Sequence, residues 1–154
     1  MKLLLTLGLL FLVAPGCQKS TPDTFVKIAE DDKDMDAAIE RARGEVDLFV
    51  VELSKPTGKM HAVKVAIQDG DDIEHFWLND LTYKNGEFHG TINNEPGLVK
   101  NVKLGQSWSV KKEEISDWMF LRDGKMHGNY TMRPLLKTMP PEEAAKYRAM
   151  LAYP

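Results

Sequence analysis

The spacing of apolar residues changes along this chain, and each change marks an element. Leu3 to Val13 is an almost unbroken apolar run behind Lys2, well below the roughly 20 residues a helix needs to cross a hydrocarbon core. A charged start, an apolar stretch and then small residues make the plan of a signal peptide. Gln18 to Thr24 is polar and holds Pro22, which reads as a flexible spacer. Phe25, Val26 and Ile28 read as a short opening strand. From Met35 the apolar positions step by three and four through Ala38, Ile39, Ala42, Val46, Phe49, Val50 and Leu53, which predicts one amphipathic helix over Met35 to Leu53. Asp31, Asp32 and Asp34 precede it, where acidic side chains cap free amides and meet the positive end of the helix dipole. Gly44 is the weak point, costing about 1 kcal/mol relative to alanine. The alternative is a helix that stops there and a strand from Val46 to Leu53.

After Met60 the period becomes two. His61, Val63, Val65 and Ile67 fall on one side, Asp69-Gly70-Asp71-Asp72 turns the chain, and Ile73 to Asn79 returns. A second hairpin joins Leu81 to Lys84 with Glu87 to Ile92 through Asn85-Gly86, the pair that a type I′ turn favours. Leu98 to Leu104, Gln106 to Lys111, Ile115 to Leu121 and Lys125 to Met132 read as further short strands, with Asp123-Gly124 turning the last two. Pro140 and Pro141 open a final short helix, with Glu142 and Glu143 in its first turn and Lys146 and Arg148 later. Tyr147 and Leu151 are its docking residues. The expectation is a single α+β domain: a long N-terminal helix packed on a bent antiparallel sheet built from hairpins, with a short C-terminal helix.

The single cysteine changes this picture most. Ala14-Pro15-Gly16-Cys17 resembles the bacterial lipobox, with Ala14 where leucine is usual and Pro15 an uncommon choice. It implies cleavage before Cys17 and lipid on that residue; ordinary secretory cleavage nearby would leave a stray thiol instead. The expected division is 1–16 signal peptide, 17–33 lipidated N-terminus and spacer, and 34–154 folded domain. Gln18, rather than an aspartate that resembles an inner-membrane retention signal, points to the periplasmic face of the outer membrane. Removing 16 of 154 residues leaves 138 without a disulfide, enough for one domain to bury around two thirds of its chain surface. Losing Lys2 takes the basic count from 20 to 19 against 23 acidic residues, a net charge of −4. With no basic cluster, nucleic acid is not an expected partner.

The segments Glu74-His75-Phe76-Trp77-Leu78, Phe88-His89-Gly90-Thr91-Ile92-Asn93-Asn94-Glu95-Pro96 and Ile115-Ser116-Asp117-Trp118-Met119, followed by Gly124-Lys125, Gly128 and Thr131-Met132-Arg133, resemble the DUF2314 family of YegJ-like bacterial domains. The resemblance covers Asp34 to Leu136 and implies an architecture rather than an activity. A looser likeness, through Asp117-Trp118 and the following glycine, is to small immunity-type domains that neutralise bacterial toxins.

Trp77, Asn93, Asp117, Trp118 and Arg133 are the candidate binding residues. Trp77 and Trp118 fit core packing or, with Trp108, an exposed aromatic platform for a sugar ring or a partner side chain. Asp117 and Trp118 point to opposite faces of a strand; Asp117 is suited to accept loop amides or to pair with Arg133. His61, His75, His89 and His127 fall on strands or their ends, and a metal-dependent hydrolase would draw on His75, His89 and His127 with Glu74 as an extra ligand, although no pair has the spacing of a zinc motif. No nucleophile elbow, phosphate-cradling glycine loop or cofactor motif is visible. That favours a non-catalytic binding or accessory domain of the cell envelope, with an envelope protein or glycan as ligand, over the hydrolase and the toxin-neutralising protein.

Overall fold

The computed structural model describes residues 32–153; the signal segment, Cys17, the spacer and the strand expected at Phe25 to Ile28 lie outside them. Two helices, α1 (Lys33–Gly44) and α2 (Val46–Ser54), precede strands β1 (Lys59–Asp69), β2 (Asp72–Lys84), β3 (Glu87–Ile92), β4 (Ser107–Lys111), β5 (Ile115–Arg122) and β6 (Lys125–Gly128). Helices α3 (Met132–Leu135) and α4 (Pro141–Met150) close the chain. The strands form one sheet in the order β4-β3-β2-β1-β5-β6, with every neighbouring pair antiparallel.

The Asp32 carboxylate caps α1 by accepting the amides of Asp34 and Met35 at 3.0 and 3.2 Å. The single long helix expected here is two helices of 12 and 9 residues. Glu45, at φ −105 and ψ 5, leaves helical geometry directly after Gly44. Neither the long helix nor a strand after Gly44 forms. The break lets both segments turn apolar faces onto one core, where Ala42 and Phe49 are fully buried.

That core lies between the helices and one face of the sheet, made by Val63, Val65 and Ile67 of β1, Phe76 and Leu78 of β2, Phe88 and Ile92 of β3, and Trp118 and Phe120 of β5. Alternation along the strands sends Lys64, Ala66, His75 and Trp77 to the other face. The expected strand from Leu98 to Leu104 is a loop. Its buried residues, Val99 and Val102, are three apart rather than two, while Leu98 and Leu104 are exposed. Glu74, buried on the core side of β2, accepts the amides of Gly97, Leu98 and Val99 at 2.9 to 3.2 Å. A carboxylate thus takes the N–H groups that a strand ladder would have used.

The last expected strand also stops early. Gly128 and Asn129 adopt φ +72 and +49 and end β6, so the residues up to Met132 turn into α3 instead. Asn85-Gly86 and Asp123-Gly124 both have two consecutive positive φ values, as type I′ turns require. Ala144 of α4 and Leu151 just after it pack against Leu136, with Tyr147 beside them.

Candidate functional site

The five residues expected to form one binding surface do not share one. Trp118 turns to the core side, stacks on Phe49 at 5.4 Å and donates its indole N–H to the Ala42 carbonyl at 2.9 Å, an acceptor that the last turn of α1 leaves without a helical partner. Asp117 turns the other way and is fully buried. Its Oδ1 accepts the amides of Trp118 and Tyr130, at 2.9 and 3.1 Å. Its Oδ2 accepts the amide and hydroxyl of Thr131, at 2.8 and 2.6 Å. Of the two roles expected for it, Asp117 takes loop amides. Arg133 is held by carbonyls of Gly128, Asn129 and Tyr153, and its guanidinium stands 4.8 Å from the Tyr130 ring centre. Trp77 is half-buried on the open sheet face, and Asn93 is exposed where β3 ends, its amide donating to the Trp77 carbonyl at 2.9 Å.

The histidines do not converge either. His75 lies opposite Ala66 and His89 opposite Thr82, seven positions farther along β2 and roughly 23 Å away at strand rise. His127 is on the helix-covered side, stacked on Phe120 at 4.8 Å. Among the described residues no group of three His, Cys, Asp or Glu side chains is close enough to hold a metal. The oxygens of Glu74 face backbone amides.

A groove of about 500 Å³ runs between α2 and the β5–β6 edge. Leu48 and Val51 of α2 form one wall; Phe120, His127 and Tyr153 stand across from them, and Trp118 lies at the floor. Leu48 and Val51 are each 65% exposed. They sit outside the buried stripe of Ala42, Val46 and Phe49, and that displacement is the sequence signal by which this wall was findable. A concavity of about 600 Å³ near Pro140 and Met150 is bounded by α4 residues and Pro140 alone. It is the surface of one helix rather than a cleft between elements.

The two carboxylates of the groove and its Tyr130 phenol are already engaged, whereas the Lys55 and His127 side chains on its lining make no hydrogen bond or ion pair among the described residues. The Tyr130 hydroxyl donates to Glu45, which also pairs with Arg41 at 3.1 Å. Burial and that bond push the Tyr130 phenol up to about 12. Burial alone would raise Glu52 too, but the Gly58 amide, the Thr57 hydroxyl, His61 and the Thr57 amide hold its carboxyl down at about 2. Because the folded value is depressed, the stability Glu52 supplies is complete above its ordinary 4.5 and is lost as pH falls through about 2. In acid titrations followed by urea unfolding, the stability gap between the parent and Glu52→Gln should narrow steadily over that window. A constant gap would mean that the carboxylate's charge is not what these groups hold.

The DUF2314 family model, described as "Uncharacterized protein conserved in bacteria", matches residues 32–153. The chain belongs to the DUF2314 family. It is 48% identical over 150 residues to the uncharacterized protein YegJ of Escherichia coli K12, covering 97% of each chain. It is 33% identical over 132 residues to a putative ankyrin repeat protein of Neisseria meningitidis serogroup B, covering 79% of this chain and 52% of that protein. No solved structure matches it. In this DUF2314 domain the motif residues build the corner behind the groove. Asp117 gathers the amides after β6, Thr131 joins it, and Gly128 passes against Trp118.

Proposed function

We propose that this DUF2314 chain is a non-catalytic binding or accessory domain of the bacterial cell envelope, tethered by lipid on Cys17, with the groove between α2 and the β5–β6 edge as its contact surface. The carrying observation is the pair of large apolar side chains, Leu48 and Val51, left in water beside an aromatic-lined cavity; such patches on soluble domains mark interaction sites. Both acidic residues of the groove are consumed by internal partners, which suits binding better than acid–base chemistry by a carboxylate. In the Neisseria relative the matched region is about half of a longer protein, consistent with an accessory role.

A photoreactive residue placed at Val51 of the full-length chain in its host envelope should give a discrete heavier adduct. The same residue at Leu104, which is 46% exposed in the loop before β4 at the other end of the strand order, should not. Equal labelling from both positions, or none from Val51, sinks the groove as the contact surface.

The tether rests on Cys17 and the residues before it. At about 0.8 kcal/mol per buried methylene, several acyl chains make release negligible. Cys17→Ser should abolish incorporation of labelled fatty acid and move the chain from the membrane to the soluble fraction. A variant that stays with the membrane defeats the lipid anchor.

A further inference from the structure

We infer that the sheet face away from α1 and α2 carries a second binding site, centred on the Lys64 ammonium, for the anionic oxygens of a carboxylate or phosphate group. Lys64 is half-buried in the middle of the sheet, opposite Trp77 on one side and Asp117 on the other. Its nitrogen donates to the Thr131 hydroxyl at 2.6 Å and stands 4.6 Å from the centre of the Trp77 ring. An ammonium has three donors, and among the described residues this one makes no other hydrogen bond and no ion pair.

Asp117 does not fill that need directly. Its two oxygens already take four donors, and the Thr131 hydroxyl stands between, accepting from Lys64 and donating to the carboxylate. The counter-charge is therefore one hydroxyl away, and two N–H groups of the ammonium remain without a protein acceptor.

His75 adds another donor on the same face. It lies two residues from Trp77 and opposite Ala66. The residue is exposed, but the Nδ1 edge of its ring is turned onto the buried Ser116 hydroxyl at 2.9 Å. Burial of that edge and the charge of Lys64 bring His75 down to about 4, so the ring is neutral at pH 7. In the tautomer in which the Ser116 hydroxyl donates to Nδ1, the ring proton sits on Nε2, which has no partner among the described residues and can turn to an anion; in the other tautomer Lys64 alone supplies the donors. Donors without acceptors, set against an indole that excludes water from one side, select an anion.

Burial lowers the pKa of the Lys64 amine from its usual value and the Asp117 charge opposes that shift; a bound anion favours the charged amine, offsets its charge toward His75 and so raises the His75 midpoint. The test titrates the full-length chain in detergent with sodium phosphate and, separately, with sodium acetate. Sodium chloride holds ionic strength constant, so that screening cannot imitate binding. NMR follows the His75 ring and the Lys64 ammonium. His89 is the internal control, a His–Ser pair joined to Ser109 at 2.7 Å far along the same sheet. The expected result is a saturable shift at His75 and Lys64 with a raised His75 midpoint, and no saturable shift at His89. Lys64→Met, which keeps the stem on Trp77, should lose the saturable response. Saturation by phosphate alone identifies a phosphorylated ligand; saturation by acetate identifies a carboxylate ligand. No saturable shift with either anion in the parent chain, or saturation unchanged in Lys64→Met, overturns the site.

Discussion

Asp117→Ala is expected to cost this domain about 4 kcal/mol, a large share of the roughly 5–15 kcal/mol that a domain has to lose. The carboxylate is fully buried and receives three backbone amides and one hydroxyl. Alanine leaves all four donors without the acceptor they share, and each buried unsatisfied group costs about 1–3 kcal/mol. The losses are not additive, because residues after β6 gain some water as they relax. Removing the negative charge also takes from Lys64 the counter-charge that reaches it through Thr131. The fall in melting temperature should be about 15 °C for a domain of this size. Asp117→Asn keeps an oxygen for two of the amides but sets an NH₂ group against the Thr131 donors, so it should lose about half as much. Urea unfolding with an unchanged slope measures both. A loss below about 1 kcal/mol for the alanine variant would show that the loop amides find other acceptors without effort.

The periodic parts of the chain were readable because a strand or helix repeats its environment. Val63, Val65 and Ile67 announce the buried face of β1, and Asn85-Gly86 announces its turn, since both residues need positive φ. The opposed directions of Asp117 and Trp118 followed from strand geometry alone. Reading stopped where one distant group decides the outcome. The apolar content of Leu98 to Leu104 suggests a strand, but Glu74, more than twenty residues away, takes the amides and makes a loop. Gly44 marked a weak place in the helix without saying whether it bends or ends. Glu45 decides that with backbone angles outside the helix, while its side chain reaches Tyr130, 85 residues later.

The candidate site was legible in the same uneven way. Trp118, Asp117, Gly128 and Thr131 stand out by residue type, and they do have special surroundings. Those surroundings are internal: they build the corner that supports the groove rather than its exposed wall. The wall residues Leu48 and Val51 are ordinary aliphatics whose meaning comes from being uncovered, and periodicity alone does not tell which outward positions another element later covers. Lys64 was hidden for the opposite reason. A lysine between valines reads as the solvent side of a strand, whereas here the sheet around it leaves it half-buried with two donors unused.

Gly128→Ala is the sharpest test of that corner, and Gly124→Ala is its control. Both glycines have φ near +70, at +72 and +73, so each alanine meets the same left-handed backbone cost of about 1–2 kcal/mol. At Gly124 a Cβ would find nothing within 4 Å; at Gly128 it would lie 2.2 Å from the Trp118 carbonyl oxygen and 2.5 Å from the indole ring. Neither neighbour can easily withdraw. The carbonyl accepts the Asn129 amide at 2.8 Å, and the indole is fixed between its stack on Phe49 and its bond to Ala42. Overpacking of this kind costs about 1–3 kcal/mol beyond the backbone penalty, so Gly128→Ala should lose about 4 kcal/mol and Gly124→Ala about 1 kcal/mol. Urea unfolding gives the difference, and near-ultraviolet circular dichroism of the indoles should change for Gly128→Ala alone. Equal losses at the two positions would mean that backbone angle, rather than the approach to Trp118, is what requires glycine at 128.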